Sequence, residues 1–150
     1  MSHFVFVCTG NICRSPMAEG LMRHRFEEAG VYSVMVSSMG IHGLDNAPAT
    51  PEAQKVCEEN GVDISAHRSR PIVPEEIQDA DFVFCMEPVH REFLHTFFPW
   101  HKDQIVLLGA WPGKPNRKSG VSDPMGRPID FYRKIFDEIS GHLDRVMAHL

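Results

Sequence analysis

Cys8 and Arg14 are separated by five residues in "CTGNICRS", with Ser15 next in line. A loop of that length can wrap so that its amide N–H groups converge on one point, over which the arginine fork closes. Such a point suits a tetrahedral oxyanion, bound by the amides of Thr9, Gly10, Asn11, Ile12, Cys13 and Arg14. Gly10 and Asn11 tolerate the left-handed backbone that a nest of amides requires. The same field favours the thiolate form of a cysteine at the floor of the cradle, and a thiolate beneath a phosphorus atom is a nucleophile. Ser15 can donate a hydrogen bond to that sulfur. Phosphoryl transfer also needs a proton for the leaving atom, and Asp123 in "SDPMG" offers one, with Pro124 and Gly126 shaping its turn. Once phosphate sits on Cys8, the deprotonated carboxylate can activate water.

These residues need a scaffold that delivers a cysteine to a loop and follows the loop with a helix. "HFVFVC" is short, continuously apolar and rich in Val and Phe, as expected of a strand covered on both faces. Met17, Ala18, Leu21, Met22 and Phe26 then recur at helical spacing, with Ser15 as the expected cap, Pro16 in the first turn and Gly30 as the stop. "VYSVMVSS" predicts a second strand and "ATPEAQKVCEENG" a second helix capped by Thr50. "DFVFCMEP" predicts a third strand, "PVHREFLHTFF" its helix, and "QIVLLG" a fourth strand. Gly109 to Pro128 reads as a long loop carrying Asp123, and such length favours a functional role. A final helix carries the apolar stripe Ile129, Tyr132, Ile135, Phe136, Ile139, Leu143, Val146 and Leu150. The alternation predicts a single α/β domain over residues 1–150, with a four-stranded parallel sheet and helices on both faces. Ligands of such sheets bind beyond the carboxyl ends of the strands, where Cys8 lies.

Composition narrows the function. The net charge is −5, from 20 acidic and 15 basic side chains, so the basic field of a nucleic-acid-binding protein is missing. No basic region precedes the first apolar stretch and no run approaches membrane-spanning length, so residence in the cytoplasm is expected. Cys8, Cys13, Cys57 and Cys85 fall in or beside core elements and read as free thiols, with Cys57 and Cys85 as packing residues. The histidines lack metal-ligand spacing, and His90 and His95 point to different helix faces, so neither metal nor cofactor is expected. Apart from His67, the histidines read as surface residues. The basic run "GKPNRKSG" reads as a solvated loop.

"VCTGNICRSP", followed by a late Asp-Pro pair before the last helix, resembles the low-molecular-weight protein tyrosine phosphatases over essentially the whole chain. The resemblance implies a phosphocysteine intermediate on Cys8, phosphate binding by Arg14 and the loop amides, and acid–base work by Asp123. It implies a phosphorylated protein or peptide as substrate, inorganic phosphate and other oxyanions as inhibitors, and a monomer or weakly self-associating protein. It also implies a network in which Ser38 and His67 stiffen the loop through Asn11. "FCMEP" matches the family's Cys-Met-Asp stretch, with Glu87 in place of aspartate.

The substrate-pocket wall departs from the tyrosine-specific pattern. Met125 and Leu44 occupy places that usually hold aromatic rings, while "DPMGRPIDFYRKIFDEI" resembles the protein arginine phosphatase branch. That branch carries threonine where Ile12 stands, and an isoleucine gives a ring an apolar wall and a phosphoguanidinium no hydroxyl. The reading therefore puts phosphotyrosine first and phosphoarginine second. Arsenate reduction ranks lower, because no cysteine follows Cys85 within ten residues. A non-catalytic phosphopeptide- or anion-binding module also ranks lower, because a binder needs neither thiolate nor acid. Cys13 is open to two readings, a packed thiol or a partner that captures an oxidised Cys8 as a disulfide.

Overall fold

A computed structural model describes residues 1–150. Four parallel strands, β1 (Ser2–Cys8), β2 (Val34–Gly40), β3 (Phe82–Cys85) and β4 (Ile105–Leu107), lie in the order β2-β1-β3-β4. The chain moves outward from β1 to β2, then crosses back to place β3 on the other side of β1. The crevice beyond the carboxyl end of β1 is therefore the point where the winding reverses, which is where open α/β sheets bind ligands. Cys8 ends β1 there, paired with Gly40 at the end of β2.

Helices cover both faces. α1 (Arg14–Glu28), α2 (Pro51–Glu59) and α5 (Ile129–Ala148) pack on one face around Phe6, Met17, Phe84, Tyr132 and Ile139. On the other face, α3 (Pro74–Asp79) and α4 (Pro88–Phe97) enclose Val5, Val7, Ile77, Val83 and Leu94. Phe6 and Phe84 stack on neighbouring strands with ring centroids 5.6 Å apart, as expected of side chains in register on one sheet face. The expected α/β domain is present, while α3 and a 3-10 turn at Pro99–Gln104 are additions that the sequence pattern did not separate from loop.

Four local expectations need correction. α1 begins at Arg14 with Cys13 in the capping position and no side-chain cap, rather than on Ser15. The Ser15 hydroxyl is engaged by Cys8 and Asn11 instead, which leaves the first N–H groups of α1 without a cap. In the loop, Asn11 alone takes a left-handed backbone, with φ of 59°, and Gly10 does not. Nor are the remaining histidines all on the surface, since His3 and His90 are 5% and 2% exposed. Finally, Leu150 lies beyond the end of α5 and is half-exposed, so the stripe ends at Val146.

Candidate active site

The loop between β1 and α1 has every carbonyl turned outward and bound. Cys8 O accepts from Ile41 N at 3.0 Å, Thr9 O from His42 N at 2.9 Å and Gly10 O from Leu44 N at 3.4 Å. Asn11 O accepts from His67 Nε2 at 2.7 Å, Ile12 O from Thr50 N at 2.9 Å and Cys13 O from Met17 N at 3.2 Å. The amide N–H groups of residues 9–13 make no hydrogen bond within the protein. With the carbonyls held outside, the amides line the inside, and the uncapped start of α1 adds its positive end. The close approach of β2 depends on Gly40, where a Cβ would fall 2.6 Å from Thr9 O.

Asn11 locks this shape from below. Fully buried, it donates through Nδ2 to Ser15 Oγ at 2.8 Å and Ser38 Oγ at 2.9 Å, while its Oδ1 accepts from Arg70 N at 3.0 Å. Ser38 in turn donates to Glu19 Oε1 at 2.7 Å. Ser38 and His67 thus act on the loop through Asn11 and do not line the cavity. Above the network, Cys8 Sγ and Ser15 Oγ are 2.9 Å apart.

Arg14 is 2% exposed and closely directed. Its Nη1 donates at 2.8 Å to both Glu87 Oε1 and the Val121 carbonyl, and Nη2 lies 3.7 Å from Asp123 Oδ2. Its Nε is the one buried side-chain nitrogen or oxygen without a hydrogen-bond partner. One edge of the guanidinium is therefore anchored, while Nε remains as a donor for a bound oxyanion. Asp123 is about half-exposed on the long loop, and its Oδ1 accepts from Met125 N at 3.0 Å.

Cys8, Thr9, Gly10, Ile12, Cys13, Arg14, Leu44, Asp123 and Met125 line one cavity of about 210 Å³, together with His42. Leu44 and Met125 stand at its rim, 50% and 54% exposed. Every expected wall residue is thus present. His42 was not anticipated, because nothing in its local sequence marks it.

Three further side chains contribute in ways that the sequence did not show. His90 lies against the loop, with Nε2 2.9 Å from Thr9 Oγ1 and Nδ1 accepting from Glu87 N at 3.1 Å. That second bond places the ring proton on Nε2, which donates to Thr9. Burial, aided by the Arg14 guanidinium, lowers the His90 pKa to about 4, so the ring is neutral at pH 7. Tyr132 and Thr50 stand behind Cys13, whose Sγ is 3.5 Å from Tyr132 Oη and 3.6 Å from Thr50 Oγ1. Burial pushes the Cys13 thiol up, against the pull of those two hydroxyls. Cys13 is therefore a thiol at neutral pH, and all four cysteines are free. Burial likewise pushes Cys57 up to about 12, in keeping with a packing role.

A cradle of free amides over a cysteine, with a half-anchored arginine and a carboxylate at the rim, suits a tetrahedral oxyanion. The family described as "Low molecular weight phosphotyrosine protein phosphatase" matches residues 3–150. The chain is 34% identical over 146 residues to a protein-arginine-phosphatase of Bacillus subtilis, covering 97% of this chain and 95% of that protein. It is 32% identical over 139 residues to the low molecular weight protein-tyrosine-phosphatase Etp of Escherichia coli, covering 93% of this chain and 85% of that protein. In three dimensions it superposes on a low molecular weight protein tyrosine phosphatase from T. tengcongensis with a TM-score of 0.92 and 34% identity, covering 100% of both chains. With the match running through both the cradle and the whole sheet, the chain belongs to the low molecular weight phosphotyrosine protein phosphatase family of cysteine-dependent enzymes.

Proposed function

We propose that this protein removes phosphate from phosphoarginine in proteins, through a phosphocysteine on Cys8. The observation that carries the substrate choice is the rim: Ile12, His42, Leu44, Asp123 and Met125 surround the mouth, with no Phe, Tyr or Trp among them. A phosphotyrosine ring would forgo about 0.5–1.5 kcal/mol for each missing aromatic contact. A guanidinium is planar and weakly hydrated, so aliphatic walls serve its faces. The similarity to the Bacillus subtilis protein-arginine-phosphatase supports the same choice. The order that Ile12 alone suggested is thereby reversed, because the rest of the rim outweighs that one residue.

The chemistry follows from the geometry. The Cys8 sulfur attacks phosphorus in line, and an S–P bond forms as the P–N bond breaks. The departing guanidine nitrogen takes the bond pair and a proton from Asp123. Charge on the phosphoryl oxygens is met by the amides of residues 9–14 and by Arg14 Nε, donors already oriented before substrate arrives. Water then attacks the phosphocysteine, giving its proton to the Asp123 carboxylate, while the S–P pair returns to sulfur. The leaving thiolate is met by the Ser15 hydroxyl, 2.9 Å away.

The test is parallel hydrolysis of phosphoarginine and phosphotyrosine peptides of one sequence, with Cys8→Ser as blank. The expected result is at least a tenfold advantage for phosphoarginine, about 1.4 kcal/mol of transition-state preference, widened by Ile12→Thr. A tenfold advantage for phosphotyrosine overturns the substrate choice and leaves the phosphatase. That second reading is favoured by Ile12, which offers a hydrophobic face and no hydroxyl.

A further inference from the structure

We infer that the basic loop 110–118, with Arg91 and Lys102, is a docking site for an acidic stretch of the protein substrate, close in sequence to the phosphorylated residue. The inference rests on the phosphatase activity and is independent of which phosphorylated side chain is cleaved.

Charge is segregated in this part of the chain. Between Phe93 and Ser122 it carries Lys102, Lys114, Arg117 and Lys118 against Asp103 alone, in a protein whose net charge is −5. Lys114, Arg117 and Lys118 are exposed, and no carboxylate pairs with them or with Arg91 and Lys102. Cations that serve only to solvate a surface are more often interspersed with acids.

The loop that presents them is shaped. Its ends meet at Gly109 and Ser119, so closely that a Cβ on Gly109 would fall 2.0 Å from Ser119 O. Inside the neck, Asn116 N donates to Ser119 Oγ at 2.8 Å and Ser119 N to Asn116 O at 3.2 Å, with Ser119 buried. Such closed surface loops are frequently functional. Between this loop and α4 lies a cavity of about 270 Å³, whose wall includes Arg91, Lys102, Trp111 and Pro115, with Asp103 as its one acidic residue. Cationic edges around an apolar floor suit a peptide carrying carboxylates on an aliphatic stem.

Its location joins the patch to catalysis. Val121, two residues beyond the neck, donates its N–H to Met86 O at 2.8 Å and accepts from Arg14 through its carbonyl. Asp123 follows two residues later. From the other side, Arg91 lies one helical turn beyond Glu87, the residue that anchors Arg14. The acidic residues held there would therefore lie close in sequence to the phosphorylated one. Exposed cations act mainly on encounter and orientation, so their effect belongs in KM and weakens with salt.

The experiment compares two peptides bearing the same phosphorylated residue, one flanked by three glutamates and one by three glutamines. Both are assayed with wild type and with the triple variant Lys114→Gln, Arg117→Gln, Lys118→Gln, with p-nitrophenyl phosphate as a control. The expected result is a preference in kcat/KM of about tenfold for the acidic peptide, carried by KM, abolished by the triple variant and by 0.5 M salt, roughly. Turnover of p-nitrophenyl phosphate should be unchanged in the variant. Equal rates on the two peptides in wild type, or a preference that survives in the variant, overturn the docking site. A matching loss on p-nitrophenyl phosphate also overturns it, because the loop would then be supporting Asp123 rather than holding peptide. Absence of all turnover in wild type would instead refute the phosphatase reading itself.

Discussion

Replacing His90 with glutamine should flatten the acid limb of the protein's stability. The folded ring is 2% exposed, bonded on both nitrogens, and titrates at about 4, against 6.5 for a free histidine. Burial is the largest cause and the Arg14 guanidinium adds to it, while Glu87 and Asp123 pull the other way. Between those two pH values the unfolded chain binds a proton that the folded protein refuses, so stability rises with pH across the window. His90 leaves stability intact above pH 6.5, and the loss accrues as the pH falls through 4. The gap between the two values corresponds to about 3 kcal/mol, a large part of the stability of a domain this size.

The assay is urea unfolding of wild type and His90→Gln at several pH values from 7.5 down to 4.5, roughly the span of this titration. Gln retains hydrogen-bonding atoms and does not titrate. Glu76, held low by Arg70, also costs stability in acid, but it does so in both proteins, so the difference between the curves isolates His90. Wild type should converge on the variant as the pH falls, by about 2 kcal/mol at pH 5. Parallel curves would refute the reasoning. Divergence in acid would mean that Glu87 accepts the proton's charge and the ring is stabilised as a cation.

Two further outcomes follow from the cradle and the loop neck. Asn11→Ala removes three buried hydrogen bonds from a left-handed residue and should cost about 3 kcal/mol, whereas Asn11→Gly should be less damaging by about 1 kcal/mol. Urea midpoints for the pair decide this, and equal values would show that the φ of 59° carries no strain. Gly109→Ala drives a methyl group into the Ser119 carbonyl, so it should destabilise the fold by about 1–3 kcal/mol, measured by thermal unfolding. A neutral result would mean that the neck opens without cost.

Much of the site was legible because its chemistry is contiguous. Cys8, the amides through Arg14 and the start of α1 follow one another along the chain, and a strand, a tight loop and a helix position them by local geometry alone. Asp123 stood out because a long loop with an Asp-Pro turn is conspicuous, and the structure brings it to the cavity, 3.7 Å from Arg14. What escaped was contact at a distance. His90 looked like one more polar position on an amphipathic helix, and only the packing of α4 against β3 and β4 brings it to Thr9, 81 residues away in the sequence. Ser15 offered a plausible helix cap, a role that lost to the competing demands of Cys8 and Asn11.

The cradle was therefore decided by the sequence itself, because Cys8, the loop amides and Arg14 are ordered by covalent proximity and secondary structure. The mouth of the cavity was decided by tertiary structure. Ile12, His42, Leu44 and Met125 come from three separate segments, and whether they form an aromatic slot or an aliphatic one depends on which ends converge at the mouth of the sheet. The anchoring of Arg14 has the same origin, since Glu87 and Val121 reach it only because β3 and the long loop close over the carboxyl end of β1. Hydrogen bonds and packing act over a few ångströms of space, and the chain brings such partners together only once the sheet has assembled.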